Sequence, residues 1–491
     1  MSIFRYIFRT AASNPIEARF NVITRYHCLI YFVVFLSKIP AIWHILNLMI
    51  LNPPITYTCG GGGGGTDRLR LVSKEECPCT SPTWDRSVFS ETVQTKFGLI
   101  CDRKKEISLS ETCAYGGMLV GAFLFGLLSD RFGRLIMFSI SFVLTGIAGV
   151  AVSQSPNMKA FYAFRFFEGL GAGGTIVTSF VLLIEYTGMK YRETVTAVYH
   201  LPVNLSHLLL AGVSYGLRNA FDFQLAVSVP MFLFGFAVFF LNESPLWLLT
   251  RKYKSRTVKA MQSIAKFNKK PDTAISGDID AYYYSTQGAQ QEKIQLYHIF
   301  KYRRHTLNLF IMAYMYLVCG MGYYGVSQYI SKMSGKIHVN IAISAILVMP
   351  GTLLSVYLLN KIGRKPFLFS TNLLAGAFML ITVIVPSNCD PTWPRVLFAC
   401  ISNCFFFMSF IVVFLYGVEL FPTQIRNSAL GVLSVLSRAG MMIAPQINIL
   451  NPIVAGYVFA VLALLGSLLV ICLPETKNKE LPSTLKDQER R

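Results

Sequence analysis

Charged residues are scarce in this sequence. Asp, Glu, Lys and Arg make up 14% of the 491 residues, whereas about a quarter of the residues in a soluble domain are charged. Catalytic motifs are also missing: the sequence has no G-x-x-x-x-G-K-[ST] phosphate-binding loop, no convincing nucleophile–base set and no metal-ligand spacing. These absences argue against a soluble protein and against an enzyme, and we expect no cofactor and no metal.

Long apolar runs are what the sequence has in abundance. Hydrophobic residues make up 53% of the chain, and windows of about 20 apolar residues, the length of a helix that crosses a bilayer, recur along it. The pattern predicts an all-α polytopic membrane protein. Its twelve transmembrane helices are predicted at residues 27–51, 112–128, 135–152, 160–184, 194–217, 223–241, 306–326, 337–359, 366–386, 394–416, 427–449 and 452–473.

The net charge of +20 would suit a nucleic-acid partner, but the positive charge is concentrated in particular loops. Segment 243–305 holds twelve Lys or Arg against five acidic residues, whereas segment 52–111 holds eight of each. Excess Lys and Arg mark cytoplasmic loops. We therefore predict that segment 52–111 is extracellular, that both termini are cytoplasmic, and that the partner is the lipid bilayer rather than a nucleic acid.

The predicted organisation is that of a plasma-membrane protein with two helical halves. The segments are a cytoplasmic N-terminus (1–26), a first six-helix half (27–241) with its extracellular loop (52–111), a cytoplasmic central loop (242–305), a second six-helix half (306–473) and a cytoplasmic tail (474–491).

Four of the eleven cysteines, Cys59, Cys77, Cys79 and Cys101, fall in the loop predicted outside, where disulfide bonds persist. Four cysteines allow three pairings, and Cys113 at the membrane edge could join them, so no pairing is assigned. Zinc binding is less favoured, because one residue separates Cys77 from Cys79 rather than the usual two to four.

Three landmarks occur twice, about 230 positions apart. They are SDRFGR (129–134) with LNKIGR (359–364), EYTGMKYR (185–192) with ELFPTQIR (419–426), and NESP (242–245) with LPET (473–476). All lie on the side predicted to be cytoplasmic, at matching places in each half. The repeat indicates a duplicated transporter.

The landmarks resemble those of a known transporter family. GLLSDRFGR (126–134) resembles the loop between the second and third helices of the major facilitator superfamily. WDRSVFSETVQTKFGLICDR (84–103), NESPLWLL (242–249) and VELFPTQIR (418–426) resemble the organic cation/anion transporter family within it. The likeness runs over most of the chain and implies a carrier with twelve helices.

Two features depart from the family pattern. Asn360 and Lys361 stand where the first half has Asp130 and Arg131, which predicts unequal gating in the two halves. The loop 52–111 has no N-x-[ST] sequon, although the family is usually glycosylated there, and this removes only a trafficking aid.

The charged landmark residues are predicted to gate the carrier. An ion-pair network offers two discrete arrangements, which suits a mouth that closes in one state and opens in the other. Simple anchoring of helix ends is the alternative, and the duplicated pattern of both signs favours gating. The residues are Asp130, Arg131, Arg134, Glu185, Arg192, Glu243, Arg364, Glu419, Arg426 and Glu475.

Charged residues inside the predicted spans are few. A charge at the bilayer centre costs about 2.5–3.5 kcal/mol on insertion scales and usually marks a pathway. Arg165 and Glu168 are three residues apart and can pair, either as a structural pair or as a site that couples transport to protons. Lys38 and Arg438 remain without an evident carboxylate, which predicts a water-filled cavity where the substrate supplies the negative charge.

The family resemblance gives Arg438 a second meaning. The SRAG segment (437–440) falls where cation transporters tend to carry an acid, and where anion or carnitine-type members carry an arginine. Thr352 points the other way, since anion carriers usually have a lysine at its position in the eighth helix.

Other polar residues are predicted to line the cavity from their helical spacing. Aromatic walls suit organic substrates through stacking or cation–π contacts, and ordinary packing between helices is the alternative. The residues are His200 and Asn204 on the fifth helix, Tyr316, Tyr323 and Tyr324 on the seventh, and His44 and Asn47 on the first.

The sequence thus predicts a secondary transporter that carries a small organic ion by alternating access, with an organic anion or zwitterion favoured. A coupling ion or an exchanged anion could accompany the substrate. The alternatives are an organic cation or carnitine-like amine transporter, and a non-transporting receptor or scaffold with the same fold.

Overall fold

The structure is a computed structural model, and it describes part of the chain. The described residues are 15–53, 55–59, 79, 82–188, 191, 195, 198–237, 241–272, 274–285, 296–333, 335–385, 393–422 and 425–477. Cys77 and Arg192 lie outside these residues, and so does the side chain of Arg426.

Twelve described helices coincide with the twelve predicted spans, which confirms the predicted fold class. Ten are long and apolar enough to cross a membrane, and the exceptions are the shorter helices in the fifth and sixth places. We label them α1 (Arg25–Leu46, continued by Leu48–Leu51), α2 (Lys105–Phe132), α3 (Arg134–Ser153), α4 (Met158–Glu185), α5 (Leu201–Gly216), α6 (Ala220–Ala237), α7 (Arg303–Ser331), α8 (Ile337–Ile362), α9 (Arg364–Ile384), α10 (Trp393–Leu420), α11 (Arg426–Ile447) and α12 (Pro452–Val470).

The helix pairings repeat in the two halves. In the first half α1 contacts α4, α5 and α6, α2 packs on α4, and α3 packs on α4 and α6. In the second half α7 contacts α10, α11 and α12, α8 packs on α10, and α9 packs on α10 and α12. The halves meet through α2 with α11 and through α5 with α8, which are equivalent pairs. The sequence repeat is therefore a repeat of structure.

Glycines let α2 and α4 approach closely. A Cβ at Gly117 would lie 2.0 Å from the carbonyl oxygen of Phe166, and one at Gly121 would lie 1.9 Å from that of Leu170. Gly169 and Gly173 face α2 in the same way. Small residues replace apolar side chains here because packing between helices, not the hydrophobic effect, holds them together in lipid.

The segment between α1 and α2 contains a small two-stranded sheet. Strand Tyr57–Cys59 pairs antiparallel with Pro82–Trp84, and Cys59 is disulfide-bonded to Cys79. Cys101 is also disulfide-bonded, whereas Cys113 is free. We call this end of the bundle the loop end.

Helical structure begins before the predicted end of this loop. A turn of 3-10 helix (Cys101–Lys104) leads directly into α2 at Lys105, whereas the loop was predicted to continue to residue 111. The first turns of α2 carry Lys105, Glu106 and Glu111, so a window that scores apolar residues ends too early. The helix nonetheless continues through them.

The basic central segment forms short helices at the opposite end, which we call the motif end. They are Pro245–Thr250, Lys254–Phe267 and Ile275–Ser285. Lys254 lies 2.6 Å from Asp280, and the hydrogen bond to this carboxylate raises the pKa of Lys254. Arg251 donates to the Asp130 carbonyl oxygen at 2.6 Å, which fastens the segment to the end of α2.

Candidate functional site

Arg438 lies near the middle of α11 and is half-buried. Its Nη1 donates to the Ser434 carbonyl oxygen at 3.0 Å and to the Ser434 hydroxyl. Its Nε is buried and has no hydrogen-bond partner within the described residues. The guanidinium also interacts electrostatically with the Tyr324 phenol. Its described neighbours are therefore neutral.

An aromatic cluster lies beside Arg438. The Tyr324 ring is 4.9 Å from that of Tyr323, which is 4.7 Å from the ring of Phe407. Phe410 is stacked on Phe407 at 6.5 Å. The Tyr323 hydroxyl is buried, and no partner for it occurs in the part of the chain that the structure describes. The structure thus brings Tyr323, Tyr324 and Arg438 together.

Lys38 of α1 is 3% exposed and lies against the segment before α5. Its Nζ donates to the Tyr199 carbonyl oxygen at 2.6 Å and lies 3.1 Å from the centroid of the Tyr199 ring. His200 interacts electrostatically with Lys38, and its ring is 6.3 Å from that of Phe407. His200 therefore connects the lysine to the aromatic cluster of the second half.

Asn204 lies one turn after His200 and contacts the other half. Its Nδ2 donates to the Thr352 hydroxyl at 2.6 Å, and its Oδ1 has no partner among the described residues. Thr352, which replaces the lysine usual in anion carriers, therefore lies at the seam between α5 and α8.

His44 and Asn47 belong to a separate buried network around Glu168. The Glu168 carboxylate is held by Arg165 at 2.6 Å, by His44 Nδ1 at 2.5 Å and by Asn47 Nδ2 at 3.1 Å. Gln224 of α6 completes it at 2.8 Å. The pair predicted from its three-residue spacing is present, and the predicted cavity residues His44 and Asn47 are committed to it.

Glu111 was missed by sequence reasoning. It lies in α2, is 2% exposed, and interacts electrostatically with Arg165 and Lys332. Glu111 is therefore a second buried carboxylate near the pair of Arg165 and Glu168. The signal was present in the spacing of Glu111, Tyr115 and Met118, which share one helical face, but the boundary of the predicted loop concealed it.

Tyr316 does not join the aromatic cluster beside Arg438. It is fully buried in a second apolar cluster toward the motif end, with its ring 4.8 Å from that of Phe414. The structure places this predicted lining residue in a helix–helix contact.

The charged landmarks of the first half meet at the motif end. Arg134 bonds Asp130 at 2.5 Å and Glu185 at 2.9 Å. The Glu243 carboxylate accepts from the backbone N–H of Arg134 at 2.9 Å. Arg131 is exposed, with its guanidinium 5.5 Å from the centroid of the Phe132 ring.

The second half repeats this arrangement. Arg364 bonds Glu419 at 2.9 Å, and the Glu475 carboxylate accepts from the backbone N–H of Arg364 at 3.0 Å. Each described ion pair of the landmarks joins residues of the same half.

The halves are joined at the loop end. Gln446 of α11 donates to the Thr112 hydroxyl at 2.8 Å, and the same hydroxyl donates to the Met442 carbonyl oxygen at 3.3 Å. Ser214 and His338 are 2.9 Å apart across α5 and α8. These hydrogen bonds join the two halves at the loop end, whereas the described ion pairs at the motif end each lie within one half. The structure therefore has the loop end closed.

Comparison with known proteins places this arrangement in context. A model of the sugar (and other) transporter family matches residues 79–485. Solute carrier family 22 member 3 of Rattus norvegicus is 30% identical over 420 residues, which cover 84% of this chain and 74% of the relative. The organic cation transporter protein of Drosophila melanogaster is 30% identical over 429 residues, which cover 85% and 77%.

The fold is also that of a solved transporter. The inward open conformation of the xylose transporter XylE from E. coli superposes with a TM-score of 0.67 at 16% identity, covering 93% of this chain and 98% of that one. At this identity the likeness concerns the fold alone.

Proposed function

Because the chain belongs to the organic cation/anion transporter family, solute carrier family 22 of the major facilitator superfamily, it is a multi-pass secondary transporter, and we propose that it carries a small organic anion or zwitterion by alternating access. The family by itself leaves the charge of the substrate open.

The observation that carries the proposal is the environment of Arg438. A guanidinium keeps its proton in proteins, and the hydrogen bonds described for this one go to the uncharged Ser434. A fixed positive charge halfway along a transmembrane helix needs an anion or water. A substrate carboxylate or sulfate would supply the anion, while Tyr323 and Tyr324 hold the organic body.

Lys38 is the second cation of the proposed site. Its ammonium caps the Tyr199 carbonyl oxygen with one of three donors and has His200 as a neighbour. His44 and Asn47 act indirectly in this proposal, because they already bond Glu168.

A second candidate function is the transport of an organic cation or carnitine-like amine. The cluster of Tyr323, Phe407 and Phe410 favours it, since aromatic faces attract cations, and the Drosophila relative is named an organic cation transporter protein. A receptor or scaffold that does not transport is disfavoured, because it would not need both sets of paired landmarks.

Uptake of labelled anions, zwitterions and cations into expressing oocytes tests the proposal. We expect saturable anion or zwitterion uptake, and we expect Arg438→Ala to lower it roughly 10- to 100-fold, the value of a hydrogen bond to a charged group. Arg438→Lys is the matched control that keeps the charge. Cation uptake that Arg438→Ala leaves unchanged would contradict the anion proposal, and no saturable uptake despite surface expression would favour the receptor.

We place the motif end in the cytoplasm of a cell whose plasma membrane holds the protein. The basic central segment and the disulfide bond at the other end support this orientation. The duplicated ion pairs then gate the inner mouth. Antibody access to tags in segment 60–65 and at the C-terminus of intact cells tests it, and access to both or only to the C-terminal tag would contradict it.

A further inference from the structure

Unused donors and an unused acceptor lie in one buried cluster. Arg165 donates from Nη1 to Glu168 at 2.6 Å, but its Nε and Nη2 have no hydrogen-bond partner within the described residues. Glu111 Oε2 likewise lacks one there. Both side chains are at least 98% buried, and they interact electrostatically.

The two carboxylates of this cluster have unequal surroundings. Glu168 accepts three hydrogen bonds from two other helices, α1 and α6, in addition to that from Arg165 of its own helix. Glu111 has Lys332 at the end of α7 within electrostatic range, Tyr115 on its own helix, and Asn52 after α1. The donors to Glu168 are His44, Asn47 and Gln224.

Charge balance distinguishes the two acids. An ionised carboxylate inside a membrane protein needs a counter-charge, and two carboxylates that share one site ionise one after the other. Glu168 has the guanidinium and three further donors, so it is the ionised member. Glu111 has Lys332 and the Asn52 amide near it, but no guanidinium is bonded to it among the described residues, and a proton would neutralise it.

We propose that Glu111, Arg165 and Glu168 form a proton-coupling switch. In the arrangement described, Arg165 is bonded to Glu168 and Glu111 is the neutral acid. In the other arrangement, Nε and Nη2 of Arg165 turn to Glu111. The O–H bond of the Glu111 carboxyl group then breaks, the electron pair stays on its carboxylate, and the proton leaves to water. The guanidinium thus has two discrete pairings, which is what a switch requires.

The direction of coupling follows from the closed loop end. Closing it removes Glu111 from water, which costs least when Glu111 is protonated. The protonated carrier therefore closes more readily over a substrate taken from the loop side, and proton and substrate move together. A monoanion carried with one proton is transported without net charge.

This inference rests on the proposed transport function, and its test uses whichever labelled ion is taken up saturably. With the inside at pH 7.5, we expect wild-type uptake to rise at least threefold when the outside is lowered from pH 7.5 to 5.5. Glu111→Gln mimics the protonated acid, so its uptake should change by less than 1.5-fold, while exchange of labelled for unlabelled substrate stays within twofold of wild type. Glu106→Gln is the matched control, because Glu106 lies on the same helix and pairs with Arg103 at 2.9 Å.

Two results would overturn the switch. One is wild-type uptake that does not change with the outside pH, and the other is a Glu111→Gln variant whose uptake depends on the outside pH as that of the wild type does. If Glu111→Gln does not reach the surface, a pH electrode in weakly buffered vesicles of wild-type protein decides. We expect one proton to enter with each substrate ion, and no proton movement would overturn the proposal.

A stability measurement separates failure of the switch from failure of the substrate proposal. As pH rises from 5.5 to 8.5, the folded wild-type protein in detergent must bury Glu111 as a carboxylate, which Glu111→Gln does not. The unfolding temperature of the wild type should therefore fall relative to that of Glu111→Gln. Parallel curves for the two proteins would overturn the switch even if no substrate were found.

Discussion

Tyr316 and Tyr323 lie seven residues apart on α7, a spacing that predicts one shared helical face. In the structure they have different neighbours. Tyr323 lies 4.7 Å from Phe407 and borders Tyr324 and Arg438. A Cβ at Gly417 would lie 2.7 Å from the Tyr316 hydroxyl, which places Tyr316 in the contact between α7 and α10. One ring borders the proposed site, and the other fills an interface between helices.

The same substitution at both positions separates these roles. We expect Tyr323→Phe to raise the KM for uptake roughly fivefold, since a neutral hydrogen bond to the substrate contributes about 1 kcal/mol. Tyr316→Phe should leave KM unchanged, because its hydroxyl faces packed helices. KM from uptake at matched surface expression is the measurement. An equal effect at both positions would contradict the assignment.

The buried charges show how far single residues can be predicted from sequence. The spacing of Arg165 and Glu168 on one helix predicted their pair, because a helix brings residues three apart together. Gln224 could not be foreseen, since it reaches Glu168 from α6 by tertiary packing. Arg438 was predicted to lack a carboxylate, and its described partners are neutral. Lys38 was placed mid-span, but its acceptor, the Tyr199 carbonyl oxygen before α5, is a backbone atom with no sequence signature.

At the scale of elements, glycine shapes the turn between α2 and α3. Gly133 has φ +120°, and a Cβ there would lie 2.4 Å from Glu243 Oε2. Gly363 has φ +107°, and its Cβ would lie 2.9 Å from Glu475 Oε2. In both halves the glycine therefore lets a carboxylate reach the N-terminus of the next helix, where the helix dipole favours negative charge.

We expect Gly133→Ala to destabilise the protein by about 1–3 kcal/mol, the cost of a residue held in a glycine-only conformation. Unfolding temperature in detergent is the measurement. Gly126→Ala, near the end of α2, is the control, because its Cβ would meet only Val177 Cγ1 at 3.8 Å. Equal losses in the two variants would show that the turn conformation is not the cause.

The same turn provides a prediction about turnover. Asp130 bonds Arg134 at 2.5 Å with its side chain 61% exposed, far from the aromatic cluster. Asp130→Asn should lower the maximal uptake rate several-fold and leave KM within twofold, because it alters an ion pair proposed to gate the mouth. Asp222→Asn in α6, outside the landmarks, is the control. An unchanged rate would count against gating.

Element boundaries were predicted less well than element number. The apolar windows located all twelve helices, because a bilayer demands long apolar stretches. They missed the residues where polar side chains extend a helix, as at the start of α2. The fifth span was predicted from residue 194, and Val195 and Val198 are helical. Helix α5 then runs from Leu201, followed by Pro202 in its first turn, a position that proline favours.

At the scale of the whole molecule, the duplicated landmarks predicted two equivalent halves, and the helix pairings repeat in them. The conformational state was not predictable in this way. One sequence must support both the open and the closed form of each end, so its local patterns describe what the forms share. Which end is closed depends on contacts between halves, such as that of Gln446 with Thr112.

Those contacts yield a prediction about the transport cycle. Alternating access requires α2 and α11 to separate at the loop end, so Thr112→Cys and Gln446→Cys joined by a short bifunctional methanethiosulfonate should abolish uptake, and reduction should restore it. Ser141→Cys and Thr175→Cys are the matched control, because these hydroxyls lie 3.2 Å apart within the first half and should stay together throughout the cycle. Both pairs need a background in which the exposed Cys28 and Cys472 are serine. Uptake that survives the first cross-link would mean that the loop end does not open during transport, and would contradict rocking of the two halves.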